Sequence, residues 1–336
     1  MEEVAWLFNG DFENNLFSDS MDEKVSSKVN QEFEYLIHLI NPVKQIYTTK
    51  KYSKEYDSYI ECITGKDFKR THQSKNIQNW CQSFSERKKL RKLQSKQELL
   101  KYLQQDDLVP SDSQIISSIN LLKEGFLYKK NNSMSGMGHF IMPQQEVKIK
   151  SLLAQGISLI EEPIRNRVLD FSTLIYENKE VAVYENIVDE FFQYKGTVID
   201  ANFSIPKNLE VKLEKTKKYL EGYLKDYHGH LSIDHYLYKE AHELKLYPAC
   251  EINVRKTMGY IAFEVFQKYF DGQGVCKLLL VNQKMKTLNY EKIKLELGSH
   301  GLLLSPADNR FKVFVITASS RDELSDYEDH LLSRLF

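Results

Sequence analysis

The stretch Glu251-Ile252-Asn253-Val254-Arg255 carries the sharpest chemical signal in the chain. Side chains alternate along a strand, so the three polar side chains of this stretch share one face and the two apolar ones share the other. A carboxylate and an amide oxygen at that spacing can bind a hard cation such as Mg²⁺, and a neighbouring guanidinium suits a phosphate. The polar face of a half-buried strand without any ligand shows the same alternation, so the pattern needs support from other parts of the chain.

A second signal is a lysine followed by a loop of small residues. Residues 126–129 predict a buried strand that ends in Lys129, and residues 130–138 predict a loop with glycines at 136 and 138 before another apolar strand. Backbone N–H groups of such a loop can approach an anion, and the lysine adds a positive charge beside it. A P-loop and the dinucleotide-binding fingerprint both lead into a helix, so neither fits. An ordinary flexible hairpin is the alternative interpretation.

The composition is typical of a soluble globular protein with a large core. The chain has 336 residues, of which 42% are hydrophobic and 28% charged. Its 46 basic and 47 acidic side chains leave a net charge of -1, which argues against nucleic acid or an anionic membrane as a partner. Four cysteines without a CxxC pair argue against a disulfide framework or a zinc site. The apolar runs are too short to cross a bilayer and the first residues are acidic, so we expect no export and a cytoplasmic protein.

Strand and helix patterns are mixed in every part of the sequence, which indicates an α/β or α+β class. Residues 85–103 predict an amphipathic basic helical region, and residues 113–123 predict a helix that Gly125 ends. Further helices are predicted over 209–227, 257–269, 289–297 and 321–335, and strands over 4–8, 157–160, 168–176, 231–238, 248–253, 277–281, 301–304 and 311–317. Residues 194–197 are predicted to form a loop. His235 is interpreted as a surface or core histidine rather than a ligand, and Cys250 as a core residue that faces away from Glu251.

Taken in order, these stretches resemble the motifs of the ATP-grasp superfamily over about residues 95–260. That family has a lysine at the start of a helix, a strand lysine followed by a GxG hairpin, an acidic hinge strand of the form Glu-Pro-apolar, and two metal-ligand strands. The similar segments here are Ser95-Lys96-Gln97-Glu98, Lys129 with Gly136 and Gly138, Glu162-Pro163-Ile164, Ser232-Ile233-Asp234 and Glu251-Ile252-Asn253-Val254-Arg255. Met134 and Met137 depart from the glycine or basic residues that many members carry in the hairpin.

The resemblance implies a role for each matching residue. Lys96 and Lys129 would contact the phosphates of ATP, and a short backbone segment would cover them, namely Ser135, Gly136, Met137 and Gly138. The hinge backbone at Pro163, Ile164 and Arg165 would bind adenine, with Glu162 against the base and Asp170 near the ribose hydroxyls. Asp234, Glu251 and Asn253 would bind Mg²⁺, for which Mn²⁺ is an alternative. Arg255 is the candidate catalytic residue, because its charge would stabilise the transferring phosphoryl group or an acyl phosphate.

The fold implied by the resemblance is the ATP-grasp fold with an N-terminal pre-ATP-grasp-like α/β lobe. Residues 1–94 would form that lobe, residues 95–165 the subdomain with the glycine-rich loop, and residues 166–336 the C-terminal subdomain with the metal site and an α/β tail. The implied enzyme is an ATP-dependent ligase that joins a small-molecule or peptide carboxylate to an amine or thiol, as a possible homodimer. A non-catalytic nucleotide-binding regulator and a phosphotransferase remain open as alternatives.

Overall fold

A computed structural model describes residues 4–17, 23–41, 45–48, 50–66, 69–71, 76–80, 86–133 and 138–336. Numbered along the chain, its strands are β1 (Ala5–Leu7), β2 (Gln45–Tyr47), β3 (Arg70–Thr71), β4 (Ile77–Asn79), β5 (Gln114–Ile116), β6 (Phe126–Lys130), β7 (His139–Ile141), β8 (Leu159–Pro163), β9 (Asn166–Tyr176), β10 (Lys179–Val188), β11 (Tyr194–Asp200), β12 (His230–Glu240), β13 (Glu243–Asn253), β14 (Val275–Val281), β15 (Gly301–Leu303) and β16 (Lys312–Ala318). Its α-helices are α1 (Phe12–Phe17), α2 (Glu23–Phe33), α3 (Leu36–Ile40), α4 (Lys54–Thr64), α5 (Arg87–Leu93), α6 (Lys96–Gln104), α7 (Glu146–Ala154), α8 (Lys207–Leu224), α9 (Met258–Tyr269), α10 (Tyr290–Leu297) and α11 (Arg321–Leu335).

The chain divides into two compact units. Unit 1 comprises Met1–Ser85, Lys195–Asn202 and Met258–Phe336, and unit 2 comprises Glu86–Tyr194 and Phe203–Thr257. Unit 1 contains a parallel sheet in the order β3-β2-β1-β4 and an antiparallel set in which β14 pairs with β11 and β16, and β16 pairs with β15. All seven residues of β16 are buried, so this strand lies at the centre of the core of unit 1.

The first sheet of unit 2 has the strand order β5-β8-β6-β7, and every pair in it is antiparallel. Its core is a cluster of buried apolar residues from β5, β6, β7, α7 and β8, namely Ile116, Tyr128, Phe140, Met142, Ile149, Leu153 and Leu159. A helix that buries one apolar stripe against a sheet is a stable two-layer solution. This sheet carries Lys129 and Glu162 on neighbouring strands.

The second sheet of unit 2 has the strand order β13-β12-β9-β10 and is also antiparallel. Helix α8 covers one face of it, where Leu209 and Leu213 pack against Phe171, Leu237 and Leu246. Because side chains alternate along each strand, the neighbours of these core residues point to the opposite face. That opposite face carries the polar motif residues.

Most of the predicted elements are confirmed by the structure. The strands predicted at 4–8, 126–129, 231–238 and 248–253, the helix at 209–227 and the whole strand and helix order after residue 277 occur within a few residues of the expected bounds. The basic region at 85–103 is helical but consists of two helices, because Ser95 caps α6 by accepting a hydrogen bond from Glu98 N.

Two local predictions are wrong. Residues 113–123 form β5 and a single 3₁₀ turn at Ile119–Leu121 rather than an α-helix. The pair of β-branched residues Ile115 and Ile116 and the serines around them disfavour a helix, and β8 offers a strand partner. Gly125 does adopt a positive φ of 75°, but in a turn before β6. Residues 194–197, expected as a loop, belong to β11.

Two elements of unit 2 were not predicted at all. Strand β10 forms a hairpin with β9, and the two turn residues Glu177 and Asn178 both have positive φ, as a type I′ hairpin turn requires. Helix α7 (Glu146–Ala154) is the other element that was not predicted.

Among the described residues no helix is long and apolar enough to span a membrane. Cys62, Cys250 and Cys276 are free thiols.

Candidate functional site

The two strands expected to carry metal ligands are neighbours in the second sheet of unit 2. Their register places Asp234 of β12 directly opposite Glu251 of β13, and Ser232 opposite Asn253. Asn253 Nδ2 donates a hydrogen bond of 2.9 Å to Asp234 Oδ2. The orientation of this amide leaves its oxygen as the group able to accept a cation. We refer to Asp234, Glu251 and Asn253, the residues predicted to bind a metal, as the metal-ligand group.

The surroundings of Asp234 disfavour the ionised form of its carboxyl group. Burial and the neighbouring negative charge of Glu251 raise the pKa of Asp234 to about 7, against the opposing effects of the hydrogen bonds from Ser172 and Asn253 and the charge of Arg255. A carboxylate that is costly to ionise in a buried position gains the most from a nearby cation. This electrostatic environment therefore fits a cation-binding role.

The donor set fits Mg²⁺ in combination with a phosphate ligand. No group of three or more His, Cys, Asp or Glu side chains suitable for a metal occurs in the part of the chain that the structure describes. The metal-ligand group offers two carboxylates and one amide. Mg²⁺ commonly binds through one or two carboxylates, with waters and substrate phosphates completing its shell, so this set is sufficient when a nucleotide is present.

Lys96 lies beside the metal-ligand group. Its Nζ forms an ion pair of 2.8 Å with Glu251 Oε1 and donates a hydrogen bond of 3.2 Å to the backbone oxygen of Ser133. Asn131 holds the start of α6 in place, because its Oδ1 accepts hydrogen bonds from Ser95 Oγ at 2.8 Å and from Gln97 N at 2.9 Å. The lysine side chain is only 3% exposed, so its direction is fixed by these contacts.

Lys129 belongs to a second set of charges. Its Nζ lies 2.6 Å from Glu162 Oε1, and Arg167 contacts Glu162 Oε1 at 3.5 Å and Asp170 Oδ1 at 2.9 Å. All four side chains are at least 85% buried, and we refer to them as the ion-pair cluster. Glu162 Oε2 has no hydrogen-bond partner among the described residues. A buried carboxylate oxygen without a donor marks a place where a ligand donor would be favourable.

Arg167 is a residue of this cluster that the sequence did not identify. Its guanidinium lies 3.9 Å from the ring centroid of Tyr236 and 4.2 Å from that of Phe192. Arg167 and Asp170 are three residues apart, which on a regular strand would place them on opposite faces. Val168 is an extra residue in the pairing of β9 with β12, so that Arg167 pairs with Tyr238 and Asp170 pairs with Tyr236. This bulge brings the two charged side chains to the same face.

Cys250 is also turned by a bulge, and its predicted core position is wrong. Asp234 pairs with Glu251 and Tyr236 with Tyr247, so three residues of β13 oppose His235 alone. Simple alternation therefore fails at Cys250, which is half-buried. Burial raises the pKa of the thiol, and Lys129 and Asp234 are among the charged groups that act on it. The cysteine thus lies near the charged groups rather than in the apolar core.

The hinge segment is placed at the end of β8. Ile164 N donates a hydrogen bond of 3.1 Å to Gly125 O. Arg165 is buried, forms a close ion pair with Asp112 and lies over the ring of Tyr238 at 4.7 Å. The Arg165 side chain is therefore engaged by neighbouring protein groups.

The glycine-rich loop is described only at its ends. Ser135, Gly136 and Met137 lie outside the described residues. Gly138 O accepts a hydrogen bond of 2.9 Å from Lys130 N, and a Cβ at position 138 would lie 2.4 Å from Ser133 Cβ. The close approach of the two ends of the loop requires glycine here.

Arg255, His235 and His139 occupy distinct positions. Arg255 follows the end of β13, donates a hydrogen bond of 3.4 Å to Lys256 O and lowers the pKa of Asp234. His235 lies on the opposite face of the sheet, with its Nε2 3.0 Å from Thr173 Oγ1, so it is a core histidine. Its pKa is lowered to about 3 by burial. His139 lies near Lys129 and Lys96, and burial together with these charges keeps its pKa well below the ordinary value.

Comparisons with known proteins found similar structures but no matching family model and no curated protein of similar sequence. The N5-carboxyaminoimidazole synthetase from Staphylococcus aureus, solved with ADP, is similar with a TM-score of 0.58 and 10% identity, covering 98% of this chain and 97% of that chain. The biotin carboxylase from Campylobacter jejuni, solved as its β-γ-ATP complex, has a TM-score of 0.55 and 11% identity, covering 100% of this chain and 86% of that chain.

A third solved structure extends the comparison to another ligase. The phosphoribosylamine–glycine ligase from Thermotoga maritima has a TM-score of 0.54 and 12% identity, covering 99% of this chain and 98% of that chain. The three similar structures are ATP-grasp enzymes. Identities of 10–12% limit the conclusion to the architecture. Because the likeness spans nearly the whole chain and the motif strands occur in the expected order, the chain has the ATP-grasp fold.

Proposed function

We propose that this protein is an ATP-dependent ligase that activates a carboxylate as an acyl phosphate and joins it to an amine or a thiol, with release of ADP and phosphate. The observation that carries the proposal is the grouping of Asp234, Glu251 and Asn253 on adjacent strands with the Lys96 ammonium 2.8 Å from Glu251. Phosphoryl transfer requires positioning and charge neutralisation more than a protein nucleophile. The grouped charges supply both.

The protein's own residues divide this work in the proposal. Asp234, Glu251 and Asn253 would hold Mg²⁺, which when bound neutralises phosphate charge. Lys96 and Lys129 would contact the phosphates, and Arg255 would stabilise negative charge on the transferring group. The backbone of residues 135–138 would cover the phosphates.

The ion pairs of the structure suggest which contacts a phosphate and a cation would replace on binding. Lys96 is paired with Glu251 and Lys129 with Glu162, so each candidate phosphate lysine has a carboxylate partner. A bound phosphate would take over the partner role toward both lysines. A cation would do the same toward Glu251, so that exchange of partners would leave no buried charge unpaired.

The nucleotide base would lie near the ion-pair cluster in this proposal. The Glu162 oxygen without a partner is a hydrogen-bond acceptor, and the amino group of adenine is a donor. Asp170 is bound to Arg167 at 2.9 Å, so contact with ribose hydroxyls would require Asp170 to share its oxygens with both groups. A carboxylate has about four acceptor positions, so the two contacts are compatible.

The similar structures support ATP as the nucleotide. Those solved with bound nucleotide include complexes with ADP, with ATP and with the magnesium salt of ADP. One of them is a dimer of a biotin carboxylase domain, which is consistent with the proposal of a homodimer here. Small-molecule or peptide carboxylates and amines are the proposed substrates, in the cytoplasm.

Release of ADP during turnover tests this function. Purified protein is incubated with ATP, Mg²⁺ and a panel of carboxylates paired with amines or thiols, and the products are identified by mass spectrometry. Glu251→Gln should remove ADP release by deleting a metal ligand, whereas Glu243→Gln, an exposed position of the same strand, should not change it. A phosphorylated hydroxyl product would instead indicate a phosphotransferase. Tight ATP binding without any turnover would indicate a non-catalytic nucleotide-binding protein.

A further inference from the structure

The site face of the second sheet in unit 2 carries polar residues beyond the metal-ligand group. The register aligns Glu251, Asp234, Ser172 and Tyr184 in one row across β13, β12, β9 and β10. Asn186 lies two residues from Tyr184 on the same strand and therefore on the same face. Neither Ser172 nor Asn186 was identified from the sequence, because nothing in their local pattern distinguishes them from other polar strand residues.

Two short hydrogen bonds connect Asn186 to the metal-ligand group. Asn186 Nδ2 donates to Ser172 Oγ at 2.6 Å, and Ser172 Oγ donates to Asp234 Oδ1 at 2.6 Å. When Asp234 is ionised, as it would be beside a bound cation, its carboxylate only accepts hydrogen bonds, so the serine proton points to Asp234. The serine oxygen is then the acceptor for the amide N–H of Asn186. The direction of both hydrogen bonds is thereby fixed.

The other oxygen of Asp234 is held by a second donor. Asn253 Nδ2 donates to Asp234 Oδ2, so each carboxylate oxygen accepts one hydrogen bond and retains a further lone pair. Ser172 is 1% exposed, so water does not compete for its hydroxyl. Its chain neighbours Phe171 and Thr173 point to the opposite face, where they contact the core and His235. Ser172 is thus a buried hydroxyl directed at one carboxylate.

We propose that Ser172 and Asn186 are positioning residues that orient the carboxylate of Asp234 for cation binding. The inference rests on the proposed function, because it assigns Asp234 a cation. Groups that hydrogen-bond to a metal ligand orient it and tune its basicity, and their removal typically weakens metal binding by 10–100-fold. Ser172 acts on Asp234 directly. Asn186 acts through Ser172 and has the smaller effect.

The experiment measures how much a metal contributes to nucleotide binding. The affinity for ADP is determined by calorimetry once with excess Mg²⁺ and once with EDTA, and the ratio of the two affinities is the metal contribution. Ser172→Ala should lower this ratio by about 10-fold or more while the affinity in EDTA stays the same. Asn186→Ala should lower it by less, and Ser172→Thr, which keeps a hydroxyl, should restore most of it.

A matched control separates positioning from a general loss of stability. Thr173→Val removes a buried hydroxyl from the adjacent residue, where it contacts His235 on the opposite face. This variant should lose stability but keep the full metal contribution. If Ser172→Ala does not fold, the half-exposed Asn186 provides the same test, because its replacement removes only the second hydrogen bond.

The failures of the two proposals are distinguishable. If the wild-type protein shows a metal contribution that Glu251→Gln abolishes, but Ser172→Ala and Asn186→Ala both retain it in full, the positioning roles are wrong and the metal site stands. If the wild-type protein shows no metal contribution to ADP affinity, the proposed function itself is contradicted and the positioning roles with it.

Discussion

The metal-ligand group and the ion-pair cluster contain the same number of carboxylates but differ in how these are neutralised. In the ion-pair cluster, Glu162 and Asp170 each contact a cationic side chain, and all four side chains are at least 85% buried. In the metal-ligand group, both oxygens of Asp234 accept hydrogen bonds from neutral groups, and the side chain of Glu251 is 19% exposed. In one region every carboxylate has a cationic partner, although burial still raises the pKa of Asp170, whereas in the other Asp234 has only neutral hydrogen-bond donors.

This difference indicates which region gains most from a ligand. The pKa of Asp234 is raised to about 7 by burial and Glu251, so an added cation would relieve a real electrostatic cost. In the ion-pair cluster a ligand must instead replace existing contacts or share them. We therefore expect mutations in the ion-pair cluster to lower stability more than mutations in the metal-ligand group do.

The largest effect is expected for Arg167→Met. The substitution leaves Asp170 without its cation and Glu162 with Lys129 alone, and breaking a buried ion pair from one side costs about 3–5 kcal/mol. Chemical denaturation measures the loss in free energy of unfolding. Lys101→Met, which breaks the exposed pair with Glu98, is the control and should change it by less than about 0.5 kcal/mol. Equal effects of the two variants would contradict the charge balance described for the cluster.

A comparison of the two lysines sharpens the contrast. Lys129→Met deprives Glu162, whose side chain is 2% exposed, of its nearest cation and should cost about 1–3 kcal/mol of stability. Lys96→Met should cost less, because Glu251 is partly exposed and water can solvate it. Denaturation of both variants in parallel provides the measurement. A larger loss for Lys96→Met would reverse the comparison.

The pH dependence of stability probes the opposite face of the same sheet. Burial lowers the pKa of His235 to about 3, from an ordinary value near 6.5, so the unfolded chain takes up a proton there that the folded chain does not. The stability that results is complete above pH 6.5 and is lost as the pH falls toward 3, at about 1.4 kcal/mol per pH unit. His235→Asn should reduce the slope of unfolding free energy against pH by that amount between pH 6 and 4. An unchanged slope would show that the histidine is protonated in the folded protein.

The smallest expected effect concerns the start of α6. Ser95 caps this helix by accepting from Glu98 N, and its Oγ also donates to Asn131 Oδ1. Ser95→Ala should therefore cost about 1 kcal/mol of stability. Because Lys96 is the next residue, the affinity for ATP should fall as well. Ser118→Ala, at the N-cap of the 3₁₀ turn, is the control and should leave that affinity unchanged.

The strands of the metal-ligand group could be predicted because two simple rules apply to them. Alternation placed Glu251 and Asn253 on one face, and the motif order indicated that Asp234 would be on a companion strand. Their direct pairing across β12 and β13 is a tertiary fact that no local pattern contains. The same limit explains why β10, with Asn186, was not predicted.

The ion-pair cluster shows where alternation fails. The extra residue Val168 in β9 brings Arg167 to the face of Asp170, and before Glu251 three residues of β13 oppose His235, so regular alternation is lost at Cys250. Such bulges leave no clear mark in the sequence. The helix predicted at 113–123 failed for a different reason. Its apolar spacing fitted a helix, but Ile115 and Ile116 pair with β8 instead, because strand partners are supplied by the fold rather than by the segment itself.

A thermal-shift measurement with and without Mg²⁺ and ATP tests the central claim most directly, namely that the metal-ligand group and Lys129 form a nucleotide site. At an ATP concentration 100 times its Kd, binding should add about 2.7 kcal/mol of stability to the wild-type protein, seen as a rise in Tm that requires Mg²⁺. Glu251→Ala and Lys129→Ala should lose this rise, whereas Glu243→Ala should keep it. A wild-type Tm that ATP and Mg²⁺ do not change, or an equal rise in all three variants, would contradict the account.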